Sequence, residues 1–366
     1  MHPRLSELAS HGQSIWLDTI DRTLLERGGL AEYITQGVTG VTTNPSIFHK
    51  AITAGGEYDA SIRAWLAANP AGETPALLDA LMVEDVTRAA DLLREVYEYR
   101  GGEDGYVSLE VSPLLAHDTE ATIAAARRLF DAVDRPNVMI KIPATPEGLK
   151  AIEATLADGI NVNVTLLFAV SRYLEVLRAW RQGVARLAAP GSVASVASFF
   201  VSRIDTLVDR ALEELGSEDA LALRGQVAIA NARVAWDEFS AFMAAPEMAD
   251  LRGRGARGQR LLWGSTGTKN DAYSDVLYVD QLIGRDTVNT LPPATLEAFL
   301  DHGTVSDTLA GRAAAAGEIL GRVERMGISM AAVTAQLERE GVEAFADAYR
   351  KLLAALDERR AALQAA

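Results

Sequence analysis

A chain of 366 residues, 49% of them hydrophobic and 23% charged, can bury a large core and could hold one α/β barrel or two ordinary domains. Its formal charge of −15 argues against nucleic acid as a partner, although one or two placed cations can still hold a small phosphate. The absence of cysteine excludes disulfides and thiolate chemistry, and the five histidines (His2, His11, His49, His117, His302) show no ligand spacing, so neither metal nor cofactor is expected.

No run approaches the roughly 18 apolar residues of a membrane span. The segment Met1-His2-Pro3-Arg4 lacks the basic start and apolar core of a secretion signal, and a cytoplasmic protein is expected.

In chain order, Ser14-Ile15-Trp16-Leu17-Asp18 reads as a strand ending in a carboxylate, followed by a helical pattern to Gly28-Gly29. The β-branched run from Gly37 to Asn44 is a second strand, closed by Asn44-Pro45. Helical pattern fills about 46–100 until Gly101, Gly102 and Gly105 break it. The strand Tyr106 to Val111 carries Glu110 near its end, and a helix over Thr119 to Val133 leads to Asn137-Val138-Met139-Ile140-Lys141-Ile142-Pro143. After a helix ended by Gly159, the run Ile160 to Phe168 alternates, which places Asn161, Asn163 and Thr165 on one face. A helix over Ser171 to Leu187 precedes the strand Ser192 to Phe200, with Arg203 just beyond.

Two helical segments, Ile204 to Leu215 and Ala220 to Met248, lead to a seventh strand from Arg260 that runs into a polar glycine loop with Lys269. The cluster Arg252, Arg254, Arg257 and Arg260 reads as a solvated connector. A short eighth strand ends at Pro292-Pro293, and helical sequence fills about 305–366. Within it Val342 to Leu363 is amphipathic, suited to packing across the molecule or to a dimer; a monomer or homodimer is expected. Eight strands separated by helices suggest a single (β/α)₈ barrel domain over 1–366, with helical insertions at about 46–100 and 204–258. A doubly wound sheet would also alternate, but no Gly-x-Gly-x-x-Gly turn follows the first strand.

Lys141 stands out. Only five of the 35 basic residues are lysines, so arginine serves wherever plain charge suffices, and a lysine inside an apolar strand suggests use of its amine. A desolvated lysine loses its proton more readily, and the neutral amine attacks carbonyls. The alternative is a stem that packs while the head reaches water.

In a barrel, residues at strand C-termini converge, which unites Asp18, Asn44, Glu110, Lys141, Asn163, Thr165, Ser198 and Lys269. Each alone has a plain reading: Asp18 and Asn44 as caps, Asn163 and Thr165 as satisfied barrel filling, Arg203 as a surface ion pair. Together a lysine, two carboxylates, two amides and a hydroxyl are what imine chemistry on a polyhydroxy ketone needs.

The motifs Leu17-Asp18, Thr42-Thr43-Asn44-Pro45-Ser46, Ser108-Leu109-Glu110-Val111, Ile140-Lys141-Ile142-Pro143-Ala144-Thr145, Gly159 to Phe168, and Ser198 with Arg203 resemble the transaldolase family of Schiff-base aldolases. Trp263-Gly264-Ser265-Thr266-Gly267-Thr268-Lys269-Asn270 is similar to its longer bacterial branch. The resemblance implies a transferase of the pentose phosphate pathway acting on sugar phosphates. It assigns the imine to Lys141, a proton shuttle to Glu110 with a water held by Thr165, and the C4 hydroxyl proton to Asp18. Thr42, Asn44, Asn163 and Ser198 would hold the three-carbon fragment, and Arg203 the phosphate. Many family members place a second arginine after the seventh strand; here Lys269 stands there, displaced by one residue, with Ser265 or Thr266 beside it. A fructose 6-phosphate aldolase-like enzyme and a non-catalytic sugar-phosphate-binding barrel are the competing readings.

Overall fold

The computed structural model describes residues 1–365; residue 366, the last of the expected C-terminal extension, lies outside them. Eight parallel strands close into a barrel in chain order: β1 (Gln13–Leu17), β2 (Gly40–Val41), β3 (Tyr106–Glu110), β4 (Val138–Pro143), β5 (Val162–Leu167), β6 (Ser195–Phe200), β7 (Arg260–Gly264) and β8 (Thr287–Leu291). Closure is made by β1 against β8, in register from Gln13↔Thr287 to Leu17↔Leu291. The fold is the expected (β/α)₈ barrel with additional helices.

Both faces of the strands are covered, so they read as apolar runs rather than alternating ones. Inside the barrel, Trp16, Tyr106, Met139, Ala194, Val196, Leu262 and Val288 pack as one cluster; the outward side chains join the larger core beneath the helices. The Trp16 indole donates to Asp104 at 2.8 Å and lies so close to β2 that a Cβ on Gly40 would come within 2.5 Å of its ring. Glycine is what lets the barrel close around that indole.

The sheet is staggered, as closure requires. Glu110, Lys141, Asn163, Val196 and Arg260 are successive Cα partners from β3 to β7, yet Glu110 ends β3 and Arg260 begins β7. One line of partners therefore descends from one end of the barrel to the other.

Two expectations are corrected. The second strand was expected to run to Asn44, but only Gly40–Val41 pairs: the Thr43 hydroxyl bonds Ser108 O at 2.8 Å and Asn44 caps the next helix. The helix expected over Ala220 to Met248 is interrupted, because Gly225 turns at φ +71 and donates to the Asp209 carboxylate at 3.1 Å. Helix resumes over Val227–Ala244. The arginine cluster is the expected exposed connector, with Arg252 and Arg254 at the surface, and its guanidinium groups also serve the backbone: Arg252, Arg254 and Arg257 donate to the carbonyls of Met243, Leu187 and Gly102, and Arg260 to Glu103 O at 3.0 Å. Free carbonyls at the N-terminal end of the barrel need donors, and these guanidinium groups supply them.

The chain closes with helices Pro293–His302, Ala313–Arg325 and the 36-residue Met330–Ala365. The last lies against helices Pro45–Ala54, Thr74–Leu92 and Ser202–Leu215 and against β5. Leu337, Phe345, Tyr349, Leu352 and Leu356 are its buried face, and complete burial of the two last leucines contributes about 3–6 kcal/mol before entropy. Its far end is held where Arg359 donates to both oxygens of Asp59 at 2.6 and 2.7 Å.

Candidate active site

Lys141 projects into the barrel from β4 and is 4% exposed. Its Nζ donates to Thr43 O at 3.0 Å, stands 3.6 Å from Glu110 Oε2 and lies 5.8 Å from the centroid of the Phe345 ring. A carbonyl, a carboxylate and a π face offset the cost of holding an ammonium out of water. Burial pushes the Glu110 carboxyl up to about 7, against the opposing pull of the Lys141 charge. Its Oε2 has no hydrogen-bond partner among the described residues.

Asp18 follows β1 directly. Its Oδ1 accepts from the Thr42 hydroxyl at 2.8 Å, and that hydroxyl also meets Thr290 Oγ1 at 2.6 Å. Burial raises the Asp18 carboxyl above its ordinary range, while Lys141, the Thr42 bond and Lys269 act the other way. The capping alternative falls to a neighbour, since Asp21 accepts from Leu24 N at 2.7 Å at the start of helix Arg22–Glu26. Asn44 does cap its helix, its Oδ1 accepting from Ile47 N at 3.1 Å. Its amide NH₂ is therefore the part left for a ligand.

Across the barrel, Ser198 donates to Asn163 Oδ1 at 2.7 Å and Asn163 Nδ2 donates to Ser108 Oγ at 2.9 Å. This relay fixes the amide of Asn163. Ser108 was not among the expected site residues, although its position two before Glu110 puts it on the same strand face. Thr165 is fully buried, and its hydroxyl has no partner among the described residues. The next residue, Leu166, sits at φ +59, where the β5–β6 register shifts between Val164 and Leu167. A leucine in that region costs about 1–3 kcal/mol, and such bulges re-aim side chains beside sites. Asn161, on the same face, belongs to the other end: its amide spans Pro136 O, Val138 O and Ala194 N.

Arg203 begins helix Ser202–Leu215 with its guanidinium 5.2 Å from the Phe200 ring centroid. It makes no ion pair among the described residues, and burial lowers its pKa. Ser265 is joined to the start of that helix, through Ser202 N to Ser265 O at 3.0 Å and between the two hydroxyls at 2.9 Å. Thr266 is turned away, donating to Thr290 O at 3.3 Å. Lys269 is exposed and makes no side-chain hydrogen bond or ion pair among the described residues, although its charge acts on Asp18; Ser265 is tied to Ser202, the residue before Arg203. A separate cavity of about 830 Å³ at the N-terminal end, bordered by Gln13, Asp104, Ser195 and Arg260, includes none of these residues.

A carbonyl substrate reaching Lys141 would thus meet an amine, a carboxyl poised near neutrality, a second, half-buried carboxyl and fixed amides and hydroxyls within one barrel mouth. The family model described as transaldolase/fructose-6-phosphate aldolase matches residues 15–356. Transaldolase 1 of Streptomyces coelicolor is 49% identical over 358 residues, covering 96% of this chain and 93% of that protein. The transaldolase of Mycolicibacterium smegmatis is 47% identical with 96% of each chain covered, and that of Thermobifida fusca is 48% identical with 95% and 96% covered. With a match of this extent over a barrel of this topology, the chain belongs to the transaldolase/fructose-6-phosphate aldolase family.

Proposed function

We propose that this chain is a transaldolase of the non-oxidative pentose phosphate pathway, transferring a dihydroxyacetone unit from sedoheptulose 7-phosphate to glyceraldehyde 3-phosphate to give erythrose 4-phosphate and fructose 6-phosphate. The observation that carries the mechanism is the buried Lys141 with its Nζ 3.6 Å from Glu110, in a chain close to curated transaldolases along its length.

The Lys141 amine attacks the ketose C2, and Glu110 gives the proton with which the carbinolamine hydroxyl leaves as water. The two unpartnered buried oxygens, Glu110 Oε2 and Thr165 Oγ1, suit the handling of that water, because buried polar atoms ordinarily have partners. Asp18 takes the C4 hydroxyl proton, the C3–C4 bond breaks, and its electrons flow into the iminium to leave an enamine on Lys141. Thr42 steadies the Asp18 carboxylate, while Asn44, Asn163 and Ser198 hold the three-carbon fragment. Arg203 binds the phosphate with Ser265 beside it, and Lys269 adds a long-range charge.

We read residues 1–365 as one barrel unit with helical insertions, working in the cytoplasm as a monomer or homodimer. Among the described residues no helix is long and apolar enough to cross a membrane. Borohydride reduction in the presence of fructose 6-phosphate tests the proposal: a covalent three-carbon adduct on Lys141, absent from Lys141→Ala, is expected. No adduct would leave a sugar-phosphate-binding barrel. An adduct that turns over to free dihydroxyacetone without transfer would make the chain a fructose 6-phosphate aldolase-like enzyme.

A further inference from the structure

Three residues of helix Met330–Ala365, four apart and so on one face, lie along the barrel mouth. A Cβ on Gly341 would stand 3.1 Å from Leu166 Cδ2 and 3.8 Å from Arg203 Nη1. Phe345 presents its ring to the Lys141 ammonium at 5.8 Å and is 9% exposed. Tyr349 borders a small cavity with Thr43, Asn44 and Glu110. The stripe therefore passes in order over the phosphate-binding arginine, the amine and the proton shuttle. Glycine within a helix costs about 1 kcal/mol against alanine, and at position 341 it lets the helix approach β5 closely.

We propose that this stripe roofs the site and that Phe345 is a specificity-determining residue, keeping solvent from the three-carbon intermediate so that it is transferred rather than hydrolysed. This rests on Lys141 as the imine-forming amine. After C3–C4 cleavage the enamine has two fates. In transfer, C3 attacks the acceptor aldehyde carbon, and the aldehyde oxygen takes the proton held by Asp18. In loss, C3 is protonated, water adds to C2, and the C2–N bond breaks to give dihydroxyacetone and the free amine. Neither path needs an oxidant or a reductant; both leave from the same enamine, and because protonation at C3 is reversible until water adds to C2, their ratio reports the access of water to the three-carbon iminium. The Phe345 ring settles onto the short fragment, and its π face favours the cationic iminium. A full-length sugar phosphate, reaching Arg203 beneath Gly341, holds the ring off and admits the water that releases product.

The experiment compares dihydroxyacetone release from fructose 6-phosphate alone with sedoheptulose 7-phosphate formation when erythrose 4-phosphate is added. Phe345→Ala is expected to raise the release-to-transfer ratio about tenfold or more, equivalent to about 1.4 kcal/mol, and Phe345→Leu to raise it by a smaller factor. Borohydride trapping on Lys141 shows that each variant is folded and forms the imine. A Phe345→Ala protein that traps normally with an unchanged ratio overturns the proposal; if it does not fold, Phe345→Leu and Phe345→Met decide by the same ratio. Absence of trapping in the wild type would instead remove the imine reading beneath it.

Discussion

Glu110 and Lys141 are direct Cα partners on neighbouring strands, yet their charged ends stop 3.6 Å apart, beyond hydrogen-bond reach. The pair is held within ion-pair distance, yet Glu110 Oε2 keeps no hydrogen-bond partner among the described residues.

Burial lifts the Glu110 carboxyl from its ordinary 4.5 to about 7. Between those values the folded protein binds the proton more tightly than the unfolded chain. The carboxyl's contribution to stability is thus complete below about 4.5 and lost as pH rises through about 7. Glu110→Gln removes this titration. Urea unfolding across the range should show the stability difference moving in the variant's favour as pH rises, by up to about 1.4 kcal/mol per pH unit. Parallel pH profiles for the two proteins would show that the buried carboxyl does not titrate there. Turnover of the variant should fall about 100-fold or more.

Asp18→Ala should lower turnover by about 10²–10⁴-fold while leaving borohydride trapping on Lys141 measurable, because the proton it accepts matters only at C–C cleavage. Thr42→Val, which removes the 2.8 Å bond to Asp18, should give a milder loss of the same kind. Full activity in Asp18→Ala would exclude it from the chemistry, since Asp21 already caps the neighbouring helix.

The two candidate phosphate cations should separate cleanly. Arg203 is half-buried against Phe200 and has no competing acidic partner among the described residues, so Arg203→Ala should raise KM for fructose 6-phosphate by about tenfold or more, with a charged hydrogen bond contributing about 1.5–3 kcal/mol. Lys269→Ala, at an exposed position, should raise KM by only about two- to threefold, and the effect should shrink in high salt. Equal losses in steady-state kinetics would show that Lys269 reaches the phosphate directly.

Gly40→Ala should destabilise the barrel by about 1–3 kcal/mol, because the added methyl would lie 2.5 Å from the Trp16 ring. Thermal unfolding followed by near-ultraviolet circular dichroism would register both the lower midpoint and the displaced indole. An unchanged spectrum and midpoint would mean that the ring yields without cost.

The strand–helix alternation was legible because parallel barrel strands are buried on both faces and stop sharply at Pro143 and Pro292. The site was legible because polar side chains such as Glu110, Lys141 and Asn163 are conspicuous within apolar runs. Less visible was what depends on closure. Thr42 and Thr43 look like strand residues, and only closure brings Asp18, Thr290 and Ser108 within reach of their hydroxyls. The arginines at 252–260 carry no sign in sequence of the carbonyls they serve, three of which, from Leu187, Gly102 and Glu103, lie far away in the chain. Phe345 had no local mark at all, since an apolar stripe on an amphipathic helix reads the same over a core as over a reactive amine.

The helix Met330–Ala365 also sets when the protein can work. Lys141 and its partners through Ser265 are synthesised well before it, but the roof is made only at the end, then pinned back onto Asp59 near the chain's beginning. At about 5–20 residues per second, the helix is completed roughly four to fifteen seconds after β8 supplies the last strand. During that interval a barrel with all eight strands holds the Lys141 amine without the Phe345 ring beside it.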